Sequence, residues 1–145
     1  MSQPLSLKMT AEELGAFLDQ QFPQMNDWGR RFIVEAVGER TARLRMTFND
    51  RMLRPGGTIS GPAMFALADV AMYAVVLAHV GPRHLAVTTN LNINFLRKPM
   101  PGDMIADATL LKLGKRLAVG DIGLRSAGDK HLVAHATATY AIPED

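Results

Sequence analysis

The sequence predicts an α+β domain: a six-stranded antiparallel sheet around one long central helix, with a short helix ahead of both. Three observations predict it. Pro62 to Val80 is apolar on nearly every side; two runs before it and four after it carry strand patterns; and short turns rich in Gly, Pro and charge separate most of those runs. A helix with no polar face belongs in a core, wrapped by other elements. Strand runs joined by short turns pair antiparallel, and helices segregated from such a sheet define the α+β class. The 145 residues suffice for one domain, 1–145.

Each element has a local cause. Thr10-Ala11-Glu12-Glu13 is a capping box, a Thr N-cap with Glu at the third helical position, and it opens a helix over 10–22 that Pro23 closes. Residues 24–30 are expected to be a connection. Phe32 to Val37 forms a first strand. Thr41 to Asn49 forms a second, with Ala42, Leu44, Met46 and Phe48 alternating against Thr41, Arg43, Arg45 and Thr47. Asp50 to Ile59, rich in Arg, Pro and Gly, is a loop. Ser60 or Gly61 caps the long helix over 61–80, and Pro62 suits its first turn, where a missing N–H costs nothing. Gly81-Pro82 ends it. Ala86 to Phe95 alternates Val87, Thr89, Leu91, Ile93 and Phe95 against Thr88, Asn90, Asn92 and Asn94. Met104 to Leu113, Leu117 to Arg125 and His131 to Ile142 complete four strands, whose connections predict an antiparallel meander.

Composition excludes several classes. Without cysteine there is no disulfide scaffold, thiolate nucleophile or zinc-thiolate site. Sixteen Lys and Arg against fourteen Asp and Glu leave a net charge of +2, too even for a dedicated nucleic-acid binder. Met1 to Thr10 lacks a basic stretch followed by an apolar run, so no signal peptide is expected and a cytoplasmic setting is the default. The apolar helix barely reaches spanning length and carries Asp69 near its middle, so no membrane partner is expected. No cofactor or metal motif is present. His131 and His135 are four apart on a strand, roughly 13 Å, too far to share a metal. His79 and His84 flank a turn and are expected at the surface.

Two features point to chemistry. Asp69 has Phe65, Ala66, Met72 and Tyr73 as its helical neighbours, so no polar stripe accounts for it. A carboxylate there needs a partner or a wet cleft; Arg54 or a neighbouring subunit is a candidate structural partner. The second feature is Gly57 to Pro62, which delivers small residues onto a helix N-terminus whose free N–H groups favour a negative group. Plain capping is the simpler reading of that segment. Gly61 and Asp69 are eight residues apart, roughly 12 Å along a helix. One reacting carbonyl cannot touch both within one chain, so cooperation requires Gly61 of one subunit to face Asp69 of another across a two-fold interface. Arg97-Lys98 and Lys115-Arg116, at strand ends, are solvated charges or phosphate contacts.

Gly61-Pro62-Ala63-Met64-Phe65-Ala66-Leu67-Ala68-Asp69 resembles the H-G-G-x4-L-A-D signature of hot-dog fold acyl-CoA thioesterases of the phenylacetate-pathway (PaaI-like) type. Thr88 to Arg97, with Pro101-Gly102-Asp103, resembles that family's strand after the helix, and the likeness covers about residues 30–142. The resemblance implies a curved sheet around the helix, and a homodimer, or a homotetramer built as a dimer of dimers. It implies hydrolysis of acyl-CoA at sites shared between subunits, with no cofactor. It places Asp69 on the catalytic carboxylate, Gly61 on the glycine whose N–H polarises the thioester carbonyl, and Thr88 on a hydroxyl that helps orient water. Three positions depart from the family pattern. Ser60 stands where the signature has His, Pro62 where it has its second Gly, and Arg54 where an upstream Asn is usual. Arg54 either pairs with Asp69 and quenches it or binds an acidic acyl group.

The leading expectation is therefore an acyl-CoA thioesterase. Asp69, Gly61 and Thr88 are its catalytic set. Arg54, Ser60, Tyr73, Arg97, Lys98, Lys115 and Arg116 are its substrate contacts. The alternative is a non-catalytic acyl-CoA or fatty-acyl binding protein of the same fold, which a salt bridge between Asp69 and Arg54 would favour. A dehydratase ranks lower, since no His lies in the helix near Asp69.

Overall fold

The computed structural model describes residues 4–144, the Trp28 side chain excepted. In chain order it has α1 (Ala11–Gln21), a 3-10 helix (Pro23–Gly29), β1 (Phe32–Gly38), β2 (Thr41–Met46), a 3-10 turn (Asp50–Met52), α2 (Gly61–Val80), β3 (Val87–Phe95), β4 (Met104–Leu113), β5 (Leu117–Ser126) and β6 (Leu132–Ala141). The six strands form one antiparallel sheet in the order β1-β2-β4-β5-β6-β3. Helix α2 packs against all six strands, so the sheet wraps around it. Every residue from Val70 through His79 is buried. By length and composition α2 is apolar enough to cross a membrane, but 78% of that window is buried inside the fold: it is the core helix.

The floor beneath α2 explains how a helix fits so closely. Ala106, Ala108, Ala118, Ala134, Ala136 and Ala138 are buried on the strands, leaving room for the larger Leu67, Met72 and Leu77 of the helix. Gly120 belongs to the same floor. A Cβ there would stand 2.8 Å from Met72 Sδ and 2.8 Å from the Thr109 carbonyl oxygen.

The structure corrects four expectations. Residues 23–29 form a 3-10 helix rather than a plain connection. β2 stops at Met46, because the Asn49 side chain caps the following turn by accepting from Arg51 N–H (2.9 Å), which takes the chain out of the sheet. The strands after α2 are not one meander. β4, β5 and β6 are consecutive, but β3 lies beyond β6 at the sheet edge, and β4 pairs with β2 instead. His79 is buried, not at the surface. Its Nε2 accepts the Arg40 N–H (2.8 Å), so the ring proton sits on Nδ1 and bonds the Val75 carbonyl (2.8 Å), tying the β1–β2 turn to the end of α2. His84 is exposed as expected.

Candidate active site

Asp69 is half-buried midway along α2. The Thr88 hydroxyl donates to its Oδ1 at 2.6 Å, and the Tyr140 hydroxyl lies 2.8 Å from the same oxygen and 3.1 Å from the Asp69 carbonyl. Oδ2 has no hydrogen-bond partner among the described residues. The strands place both hydroxyls. Thr88 and Tyr140 are paired on β3 and β6, and a bulge between Thr88 and Asn90 breaks the alternation of β3. Strict alternation would put Thr88 on the outer face with Asn90, Asn92 and Asn94; the extra residue turns it inward. Burial, then the nearby Asp69 charge, push the Tyr140 hydroxyl above its ordinary range, so it stays a proton donor.

Beside this carboxylate is a cavity of about 350 Å³. Tyr73 and Phe22 form part of its wall, with Gln21 and His84 alongside. Tyr73 stacks on Tyr140 (6.0 Å between centroids), meets the edge of Phe22 (6.3 Å), and donates its hydroxyl to the His84 carbonyl (2.8 Å). Burial raises the Tyr73 hydroxyl as well.

A second cavity, of about 220 Å³, lies at the start of α2 and is lined by Gly61, Arg54, Phe95, Arg97 and Lys98 among others. Ser60 is the N-cap, its Oγ accepting from Ala63 N–H (3.3 Å), and its own N–H bonds the Met52 carbonyl (2.8 Å). The capping reading of Ser60 holds, while the Gly61 N–H has no acceptor among the described residues. A Cβ on Gly61 would come within 3.3 Å of the Phe95 ring, so the glycine keeps this approach open. An apolar hollow of about 430 Å³, bounded by Gly61, Pro62, Phe65, Ile93 and Phe95, adjoins it.

The predicted residues therefore fall into separate groups. Asp69, Thr88 and Tyr73 share one cavity; Gly61, Arg54, Arg97 and Lys98 share the other. Arg54 makes no bond to Asp69, so of the alternatives left open for Arg54 the pairing is not the one observed: the partners of Asp69 are Thr88 and Tyr140. Lys115 and Arg116 line neither cavity, and Arg116 pairs with Glu144 (2.9 Å), both well exposed. They precede Leu117, whose row in the sheet includes Val87, whereas Arg97 and Lys98 follow Phe95 at the other end of β3. Tyr140 was missed. An inward Tyr on a terminal strand reads as core, and the one available signal was a hydroxyl on the face that packs against Asp69.

One carboxylate-bearing apolar helix inside a six-stranded antiparallel wrap defines the hot-dog class of thioesterase fold. The chain belongs to the thioesterase superfamily, whose family model matches residues 56–133. A protein of Silicibacter sp. TM1040, provisionally described as a thioesterase, is 49% identical, with a TM-score of 0.87 over 98% of this chain and 97% of that one. A second, from Ralstonia eutropha JMP134, is described provisionally as a thioesterase and as phenylacetic acid degradation-related. It is 25% identical, with a TM-score of 0.74 over 87% of this chain and 98% of that one. A Saccharolobus solfataricus protein provisionally named an esterase is 35% identical over 70% of this chain, and the match spans 66% of that relative's length.

Proposed function

We propose that the protein is an acyl-CoA thioesterase of the PaaI-like type, working as a two-fold dimer or a pair of such dimers, with each site shared between subunits. One observation carries this reading: the two halves of the site sit at opposite ends of β3. Gly61 lies against Phe95 at one end, and Asp69 is bonded to Thr88 at the other. β3 is also an edge strand, and an unpaired edge is a template for another strand. Antiparallel pairing of two copies of β3 lays the Phe95 end of one beside the Thr88 end of the other, which brings Gly61 toward the partner's Asp69. Phe65, Val87, Phe95 and Leu96 are exposed apolar residues on or next to that edge, as a buried seam requires.

In this reading the Gly61 N–H, backed by the helix dipole, stabilises the oxyanion as the thioester carbon becomes tetrahedral. Asp69 acts on the same carbon from the partner subunit. Either it takes the proton of an attacking water, or it attacks directly and the resulting anhydride is hydrolysed. In both routes the C–S bond breaks and CoA leaves as the thiol, having gained a proton. Lys115 and Arg116, which line neither cavity, supply positive surface for the phosphates, while Arg97 and Lys98 stay with Arg54 at the Gly61 cavity. The non-catalytic alternative has two supports, Arg54 in place of the usual Asn and an Asp69–Arg54 pairing; Asp69 bonds Thr88 and Tyr140 instead of Arg54, which speaks against the second support only. Thiol release across a panel of aryl, short-chain and long-chain acyl-CoAs tests the reading. Asp69→Asn is expected to cut turnover by roughly a thousandfold or more, the scale of losing an essential catalytic group. Undiminished turnover in that variant overturns the assignment.

A further inference from the structure

The cavity beside Gly61 carries a charge pattern that thioester hydrolysis alone does not require. Arg54, Arg97 and Lys98 all line it, and among the described residues no carboxylate does. None of the three has an ion pair among the described residues. The cations come from two loops held in fixed relation. Arg54 sits in a tight hairpin closed by Arg54 N–H to the Thr58 carbonyl (2.9 Å), Gly57 N–H to the Arg54 carbonyl (3.0 Å) and the Leu53–Ile59 bridge. Gly56 and Gly57 take the positive φ values, +102° and +79°, that so sharp a turn needs. Ile59 N–H then bonds the Pro99 carbonyl (3.1 Å), tying this hairpin to the loop that carries Arg97 and Lys98. The backbone thus gathers like charges around one small space whose floor is a helix N-terminus with a free N–H. Such a space favours an anion supplied from outside.

We infer that the substrate is a thioester whose acyl group itself carries a carboxylate, which Arg54 reads. This rests on the thioester reading given above. If the thioester carbonyl sits on the Gly61 N–H, the phosphates of CoA are a full pantetheine arm away. The negative group able to reach the Gly61 cavity itself is then one on the acyl side. A guanidinium matches a carboxylate with two parallel N–H···O bonds, a geometry that Asn, usual at this position in the resembling family, cannot supply with charge. Dicarboxylic half-thioesters of the glutaryl or succinyl kind fit this description. Their neutral esters do not.

The test compares kcat/KM for glutaryl-CoA with that for its methyl ester, in the full-length protein. A preference of about tenfold or more for the free acid is expected, the worth of one charge-assisted pairing. In Arg54→Gln the ratio should collapse toward one, and in Arg54→Lys it should fall between the two, since charge remains and the fork is lost. The same acid and ester are then offered as N-acetylcysteamine thioesters, which have no phosphate. A ratio that persists there supports the inference. If Arg54→Gln slows acid and ester alike, and only when CoA is present, the cavity reads phosphate and the inference is overturned. Turnover with no discrimination by acyl charge also overturns it, and leaves the thioesterase reading intact. Absence of thiol release from every thioester overturns both.

Discussion

A carboxylate oxygen has two lone pairs to offer, and the Asp69 Oδ1 is met by hydroxyls from two different strands, Thr88 on β3 and Tyr140 on β6. That arrangement fixes the carboxyl plane and leaves Oδ2 as the oxygen without a partner among the described residues. Tyr140 is suited to the task because it is almost fully buried (3% exposed), and its ring is held in a stack with Tyr73. Its raised hydroxyl keeps its proton through the neutral range, so it serves as a constant donor rather than as an acid. Tyr140→Phe retains the ring stack and removes only the donor. Under the proposed function it should lower kcat roughly tenfold or more while moving KM little, because misaligning a reacting group by a fraction of an ångström costs rate before it costs binding. Steady-state kinetics decide the matter; an unchanged kcat would mean that Thr88 alone suffices to hold the carboxyl.

Among the elements, α2 was the most legible. Its apolar run, its Ser60 cap and its Gly81 stop give its ends as observed, and Asp69 stood out because nothing apolar explains a charge there. Long-range pairing was not legible. The eight residues between β3 and β4 read as an ordinary turn, yet they carry the chain across the sheet, and no local preference encodes which strand lies next to which. The same limit hid the inward turn of Thr88, since a bulge is a misalignment between two strands and not a property of one. His79 was read as surface from its position near a turn; the Arg40 N–H that it caps comes from a hairpin 39 residues away. Packing at this level makes its own prediction. At Gly120 any Cβ meets Met72 Sδ and the Thr109 carbonyl at 2.8 Å. Met72 can flex, but the backbone oxygen belongs to β4 and cannot move without disturbing the ladder. Gly120→Ala should therefore destabilise the fold by about 1–3 kcal/mol, the usual cost of overpacking a core. The shift in urea midpoint measures it, at constant m if the unfolded state is unchanged.

At the scale of the whole molecule, the proposed function gives one chain two half-sites that, by the helix rise alone, it cannot close on each other. If catalysis uses Asp69 from one subunit and Gly61 from the other, each half can be disabled separately. Asp69→Asn removes the carboxylate. Gly61→Pro removes the N–H; the first helical position suits Pro because that N–H makes no intrahelical bond, although the Phe95 ring, 3.3 Å from a Cβ there, must shift by a few tenths of an ångström to admit it. Ser60 is already extended (φ −72°, ψ 154°), as the residue before a Pro must be. Either variant alone gives dimers in which both sites are defective. Mixed dimers differ, because the subunit bearing intact Gly61 faces the subunit bearing intact Asp69 at one of the two sites on the seam. That restores one complete site, while the second site collects both defects. Random reassortment makes half the dimers mixed, each with one of two sites working, so the mixture should recover about a quarter of wild-type activity. Co-expression with two different affinity tags, followed by thiol-release assays on the doubly purified species, gives the measurement. Those mixed dimers should show about half the activity of the parent dimer, and complete inactivity would place both groups in a site built within a single chain.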